Sequence, residues 1–175
     1  MRRRLVLWTP LFLFALFVVV VAYGLYAPPD RTVPSALIGQ PAPVFDLPPA
    51  VQGRPGVASI SGDGQPRLVN IFASWCLPCR IEAPQLEELR RRGVPIDGIA
   101  VRDRPEDLAA FLATYGDPFR AIGADTDRRV QLALGSAGVP ESFIIDGRGV
   151  IRHQHIGVIN PADVPAIVAA YEAAR

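Results

Sequence analysis

The sequence predicts a mixed α/β domain, with a parallel strand–helix–strand unit first and an antiparallel hairpin last, carried behind an N-terminal transmembrane helix. Three observations lead there. An uncharged run from Leu5 to Pro29 follows Met1-Arg2-Arg3-Arg4. Two strand-length, mostly apolar runs, Arg67 to Ala73 and Pro95 to Val101, flank an amphipathic helical pattern. Two further strand patterns meet at the turn Gly147-Arg148-Gly149. The 175 residues leave room for one such domain and an appendage, not for two domains.

Half the residues are hydrophobic and 20% are charged, a globular balance, yet the mean hydropathy of +0.24 is high for a wholly soluble chain. All 18 basic residues are Arg, so Schiff-base chemistry, a P-loop lysine and a catalytic Lys base are excluded. A net charge of +1, with the Arg residues scattered, gives no support to nucleic-acid binding.

The surplus apolarity lies at the N-terminus, whose centre from Leu11 to Val21 is almost purely Leu, Phe and Val. About 20 apolar residues match a bilayer core roughly 30 Å thick, and three Arg on one flank against Asp30 on the other place the N-terminus in the cytoplasm. This gives a basic tip over 1–4, an anchor over 5–27, a proline-rich extended linker over 28–36 and an exported domain over 37–175. The expected location is the inner membrane, single-pass, with the domain in the periplasm. A signal peptide cleaved after the weak small-x-small site Ala22-Tyr23-Gly24 is the competing reading, and it exports the domain equally.

In the exported domain, Val44 to Leu47 reads as a short edge strand stopped by Pro48-Pro49, and Gln52 to Gly64 as loop with one short strand near Val57. Arg67 to Ala73 is a strand covered on both faces. The helix after it turns Ile81, Leu86 and Leu89 inward and Glu87, Glu88 and Arg90 to Arg92 outward, has Pro78 in its first turn, and closes at Gly93. Pro95 to Val101 completes the parallel unit through a right-handed crossover. Pro105 opens a helix to about Tyr115, Phe119 to Gly123 is a short strand, and Thr126 or Asp127 caps a helix to about Leu134. Val139 to Asp146 and Val150 to Ile156 form the hairpin, and Asn160 caps a C-terminal helix starting at Pro161.

Only two cysteines exist, Cys76 and Cys79, at the junction of the first long strand and its helix. Zinc would need further ligands, and His153 and His155 alternate along a strand without the usual spacing; covalent haem attachment would need His where Arg80 stands. No metal or cofactor is expected, and the two His read as solvated strand positions. A Cys at a helix N-terminus feels the positive end of the helix dipole and free N–H donors, which lower its pKa, so Cys76 is the expected attacking thiolate. Cys79, one turn further on and more buried, resolves the mixed disulfide.

With these residues placed, the chain resembles the thioredoxin superfamily and, within it, the membrane-anchored thiol:disulfide interchange proteins of bacterial cytochrome c biogenesis (the CcmG/DsbE type). Three stretches carry the resemblance: Gly39 to Leu47, Asn70 to Glu82 around Trp75-Cys76-Leu77-Pro78-Cys79, and Gly138-Val139-Pro140-Glu141-Ser142-Phe143. It implies a thioredoxin-like fold with a central mixed sheet flanked by helices. It implies further that Cys76 and Cys79 form a redox-active disulfide, that Trp75 and Pro78 support the nucleophile, that Pro140 is a cis-proline facing the disulfide, and that Glu82 and Glu141 are acids near it. A cis X-Pro bond there would offer backbone groups of Val139 to an incoming peptide strand.

For Glu82, a solvated helical position and a proton-transfer role both remain open, while the charge of Glu141, at the head of an otherwise apolar strand, needs a reason. The resemblance also implies a physiological role, the reduction of an apocytochrome c C-x-x-C-H disulfide with electrons from a DsbD or CcdA-type transmembrane donor. A general periplasmic reductase, a disulfide-installing oxidant, and a non-catalytic tethered adaptor with a structural disulfide are the rivals.

Overall fold

The computed structural model describes residues 2–26, 37–58 and 64–175, in two compact units: an N-terminal helix and an α/β domain. The expected linker over 28–36 lies outside the described residues. Helix α1, Arg2–Tyr26, contains Pro10, and its described side chains, which begin at Trp8, are exposed but for a half-buried Ala22. Among the described residues no helix is long and apolar enough to cross a membrane.

The domain opens with β1, Asp46–Leu47, paired antiparallel with β2, Val57–Ala58. The main sheet holds β3 (Arg67–Phe72), β4 (Ile96–Val101), β5 (Ala121–Asp125), β6 (Glu141–Ile145) and β7 (Ile151–Ile156), in the order β5-β4-β3-β6-β7. Pairing is parallel from β3 to β5 and antiparallel from β3 through β6 to β7, the mixed sheet of a thioredoxin-like fold. Every residue of β3, β4 and β6 is buried, which is why these strands read as apolar runs without alternation. The outer edge of β5 is occupied by the segment between β1 and β2, through Ala50 N–H to Ile122 O and Ile122 N–H to Pro55 O.

Alternation along the strands divides the core in two. Leu68, Phe72, Ile96, Ala100 and Ile144 pack with α2 (Leu77–Arg91), α3 (Pro105–Tyr115) and α5 (Val164–Ala173). Val69, Ile71, Ile99, Phe143 and Ile145 pack with α4 (Arg129–Ala133). Gly98 is required on the first face, because a side chain there would collide with Phe72 and Phe119, whose rings stack 4.5 Å apart.

Several local expectations are corrected. The first short strand is confined to Asp46–Leu47, and β5 begins at Ala121 rather than Phe119. Helix α4 is capped neither by Thr126 nor by Asp127 but by the Asp125 carboxylate, which accepts from the N–H groups of Val130 and Gln131. A turn follows Asn160, so α5 starts at Val164 instead of Pro161. Ile81 points outward, 60% exposed.

Candidate active site

Strand β3 delivers the chain to the site and α2 carries it away. Between them, Cys76 occupies the N-cap position of α2 with extended backbone, and its sulfur accepts the N–H of Cys79 at 3.2 Å. One turn of helix brings the two Cα atoms to 5.3 Å, and the sulfurs are joined in a disulfide. Pro78 sits in the first turn, where the absent N–H has no intrahelical partner to lose. Both cysteines are buried, whereas Trp75, Leu77 and Ile81 around them are exposed, so the disulfide lies sunk within an apolar rim.

The approach to Cys76 is clamped. Asp103 accepts the N–H of Ser74 at 2.6 Å and also its hydroxyl. Arg80 turns back from α2 to donate to Ser74 O at 2.9 Å and lies over the Tyr115 ring. The Trp75 indole N–H donates to the carbonyl of Arg102, a residue held at φ 48°. These groups line a groove of about 460 Å³ beside Trp75. No sequence motif points to Arg102, Asp103 or Tyr115, which converge on the groove from the end of β4 and from α3.

Across the sheet, the Val139–Pro140 peptide bond is cis, as the resemblance implied. The loop is braced by Gln131 and Ser136, which both donate to Gly138 O. Continuing the Glu141–Ile71 register by one residue sets Pro140 opposite Phe72, four positions before Cys76. Val139 packs against the cluster that contains both cysteines, and among the described residues it makes no hydrogen bond. Its N–H and C=O can receive an added strand.

The two acids part company. Glu82 lies on the inner stripe of α2 with Cys79, Ala83, Leu86 and Leu89 and is 0% exposed, which overturns the solvated reading. Its Oε1 accepts from Asn70 Nδ2 at 3.0 Å and its Oε2 from Ile159 N–H at 3.1 Å. Burial pushes its pKa up to about 7, against the lowering effect of those two hydrogen bonds. Glu141 is also buried and accepts from Gln154, but it alternates with Phe143 and Ile145 and so belongs to the opposite face of the sheet. Asn70, the first residue of the stretch around the cysteines, joins the site without having been singled out; its polar side chain in a mostly apolar strand is the available signal.

His153 and His155 are half-buried rather than solvated. Burial, then the charge of His155, lowers the pKa of His153, while His155 Nε2 lies 3.1 Å from Val158 O. Among the described residues no group of His, Cys, Asp and Glu side chains is arranged to hold a metal.

Residues 38–154 match the AhpC/TSA family. The thiol:disulfide interchange protein DsbE of Pseudomonas fluorescens biotype C is 40% identical over 158 residues, covering 90% of this chain and 88% of that protein. The thiol:disulfide interchange protein HelX of Rhodobacter capsulatus is 38% identical over 145 residues, covering 83% and 82%. The crystal structure of a thioredoxin-family thiol:disulfide interchange protein from Chlorobium tepidum superposes with a TM-score of 0.61 at 28% identity, covering 83% of this chain and 99% of that one.

Proposed function

The chain belongs to the AhpC/TSA family and groups with the DsbE-type thiol:disulfide interchange proteins, and from that premise we propose that this thiol:disulfide oxidoreductase works as a membrane-tethered periplasmic reductase. Its substrate is an exported protein disulfide, that of the apocytochrome c C-x-x-C-H segment before haem attachment. The observation that carries the reading is the Cys76–Cys79 disulfide capping α2 and sunk within the exposed rim of Trp75, Leu77 and Ile81. A rim of this kind suits an unfolded peptide, and the free backbone groups of Val139 suit its extension as a strand.

In the reductive half-cycle, the Cys76 thiolate attacks one sulfur of the substrate disulfide, whose other sulfur departs as a thiolate and takes a proton. Cys79 then gives up its proton and attacks Cys76 in the mixed disulfide, releasing the second substrate thiol and closing Cys76–Cys79. Trp75 and Pro78 shape the entrance, and Pro140 holds the peptide loop. Glu82, buried on the same helical stripe as Cys79, is suited to receive the Cys79 proton. A carboxylate on that stripe also opposes thiolate formation, which makes the dithiol a better reductant. Glu141, bonded to Gln154 on the opposite face of the sheet, takes no part in these steps.

Tethering is supported by the three Arg before the uncharged run, and it fits a reductant that must be recharged in an oxidising compartment by a DsbD or CcdA-type donor. Trapping on a Cys79→Ser variant tests the substrate. Mixed disulfides with C-x-x-C-H precursors are the expected outcome; complexes confined to other exported proteins would favour a general reductase. An empty trap with a disulfide resistant to dithiothreitol would leave the adaptor.

A further inference from the structure

Asn70 is 0% exposed, and its amide is fixed from two sides, because Nδ2 donates both to Glu82 Oε1 and to Ser142 Oγ at 3.0 Å. With Glu82 ionised, turning the amide over would aim its carbonyl at a carboxylate, so its neighbours then set the orientation. The carbonyl oxygen Oδ1, equally buried, has no hydrogen-bond partner among the described residues. Native interiors seldom leave such an acceptor unpaired, and where they do a reason is needed.

The surroundings supply one. Asn70, Cys79 and Glu82, together with Phe111, Pro118 and Phe119, line one narrow space too tight for a water molecule. In the disulfide neither sulfur carries a hydrogen. When a dithiol donor reduces it, two electrons enter, the S–S bond breaks, Cys76 becomes a thiolate and Cys79 an S–H; the donor closes to a disulfide and the second proton goes to solvent. The Cys79 S–H is then a hydrogen-bond donor beside a space that Asn70, whose Oδ1 is unpaired, also lines.

We propose that Asn70 Oδ1 accepts a hydrogen bond from the Cys79 thiol in the dithiol form, making Asn70 a positioning residue whose bonding is completed only on reduction. One amide then spans the proton pair of the site, holding Glu82 through its nitrogen and Cys79 through its oxygen. The inference rests on the redox couple of the proposed function and not on which substrate that couple serves.

The sequence has only two asparagines, Asn70 and the exposed Asn160, so side-chain 13C-asparagine labelling isolates the amide directly. Infrared difference spectra of the full chain, before and after dithiothreitol, should show the Asn70 carbonyl band moving to lower frequency while the Asn160 band stays. In Cys79→Ala, under the same dithiothreitol, the Asn70 band should remain where the wild-type disulfide form has it. In Asn70→Leu the Cys79 S–H stretch should shift to its unbonded position, which a merely structural role would not produce, and the reduction potential should become more negative. The labelled wild type reads the same contact if the Leu variant does not fold. A disulfide that opens with no movement of the Asn70 band, or an equal movement in Cys79→Ala, overturns this inference alone. A disulfide that dithiothreitol cannot open overturns it together with the redox reading.

Discussion

Asn70 donates its side-chain amide to Glu82 across the interface of β3 and α2, so the polar residue in the middle of the central strand meets the acid on the buried stripe of the active-site helix, 3.0 Å apart. With Ile159 N–H on its other oxygen, Glu82 is anchored by two hydrogen bonds from neutral groups. Burial therefore dominates, and its pKa rises from 4.5 to about 7.

The consequence for stability has a definite sign. Between pH 4.5 and 7 the folded protein holds a proton on Glu82 that the unfolded chain has released, so stability falls as pH rises through that window and levels off above it. The loss is on the order of 3 kcal/mol. In Glu82→Gln, denaturant unfolding of the oxidised protein should lack this component, the difference from wild type changing across pH 4.5–7 and staying constant on either side. A difference independent of pH would contradict the assignment.

The division of labour between the cysteines predicts that Cys76→Ala abolishes mixed-disulfide formation and that Cys79→Ala accumulates it. In the reduced wild type, alkylation at neutral pH should label Cys76 faster. Faster labelling of Cys79 would reverse the roles.

Much of this was legible because its causes are local. The C-x-x-C at a strand-to-helix junction, the Pro78 in the first turn and the paired apolar runs of β3 and β4 are short-range patterns, and they placed the site and the parallel unit. What escaped was set across the fold. Counting back from Leu86 in steps of three and four reaches Ala83, Glu82 and Cys79, not Ile81; the charged residue took the inward position and the apolar one the outward. The α4 cap escaped because Asp125 closes β5 and reaches over a turn in which Arg128 has φ 61°, a conformation that no composition rule announces. The opposite faces of Glu82 and Glu141 follow only once strand register is known.

Asp103 ties the approach to Cys76 through the N–H and hydroxyl of Ser74. Asp103→Ala should lower stability by about 2 kcal/mol, as expected for losing charge-assisted hydrogen bonds in a partly buried place, and should slow thiol exchange. Urea unfolding with a stopped-flow exchange assay checks both; an unchanged exchange rate would free the clamp from any part in the chemistry.

For the proposed tether, protease added to spheroplasts should digest the domain, and carbonate extraction should leave the intact chain in the membrane pellet. A mature N-terminus near Leu25 would instead establish a cleaved signal peptide.

The proposed reductase has the dithiol as its working form, kept reduced from the membrane and spent on a protein disulfide. Each pKa unit by which Cys76 is lowered favours the reduced form by up to about 1.4 kcal/mol, or about 30 mV for two electrons, so a moderate lowering suits a reductant and an extreme one an oxidant. Acid quenching of living cells followed by alkylation reads the state of Cys76 and Cys79 directly. With an intact transmembrane donor the two should be found as thiols and become oxidised when the donor is removed; a disulfide at steady state with the donor present would contradict the account.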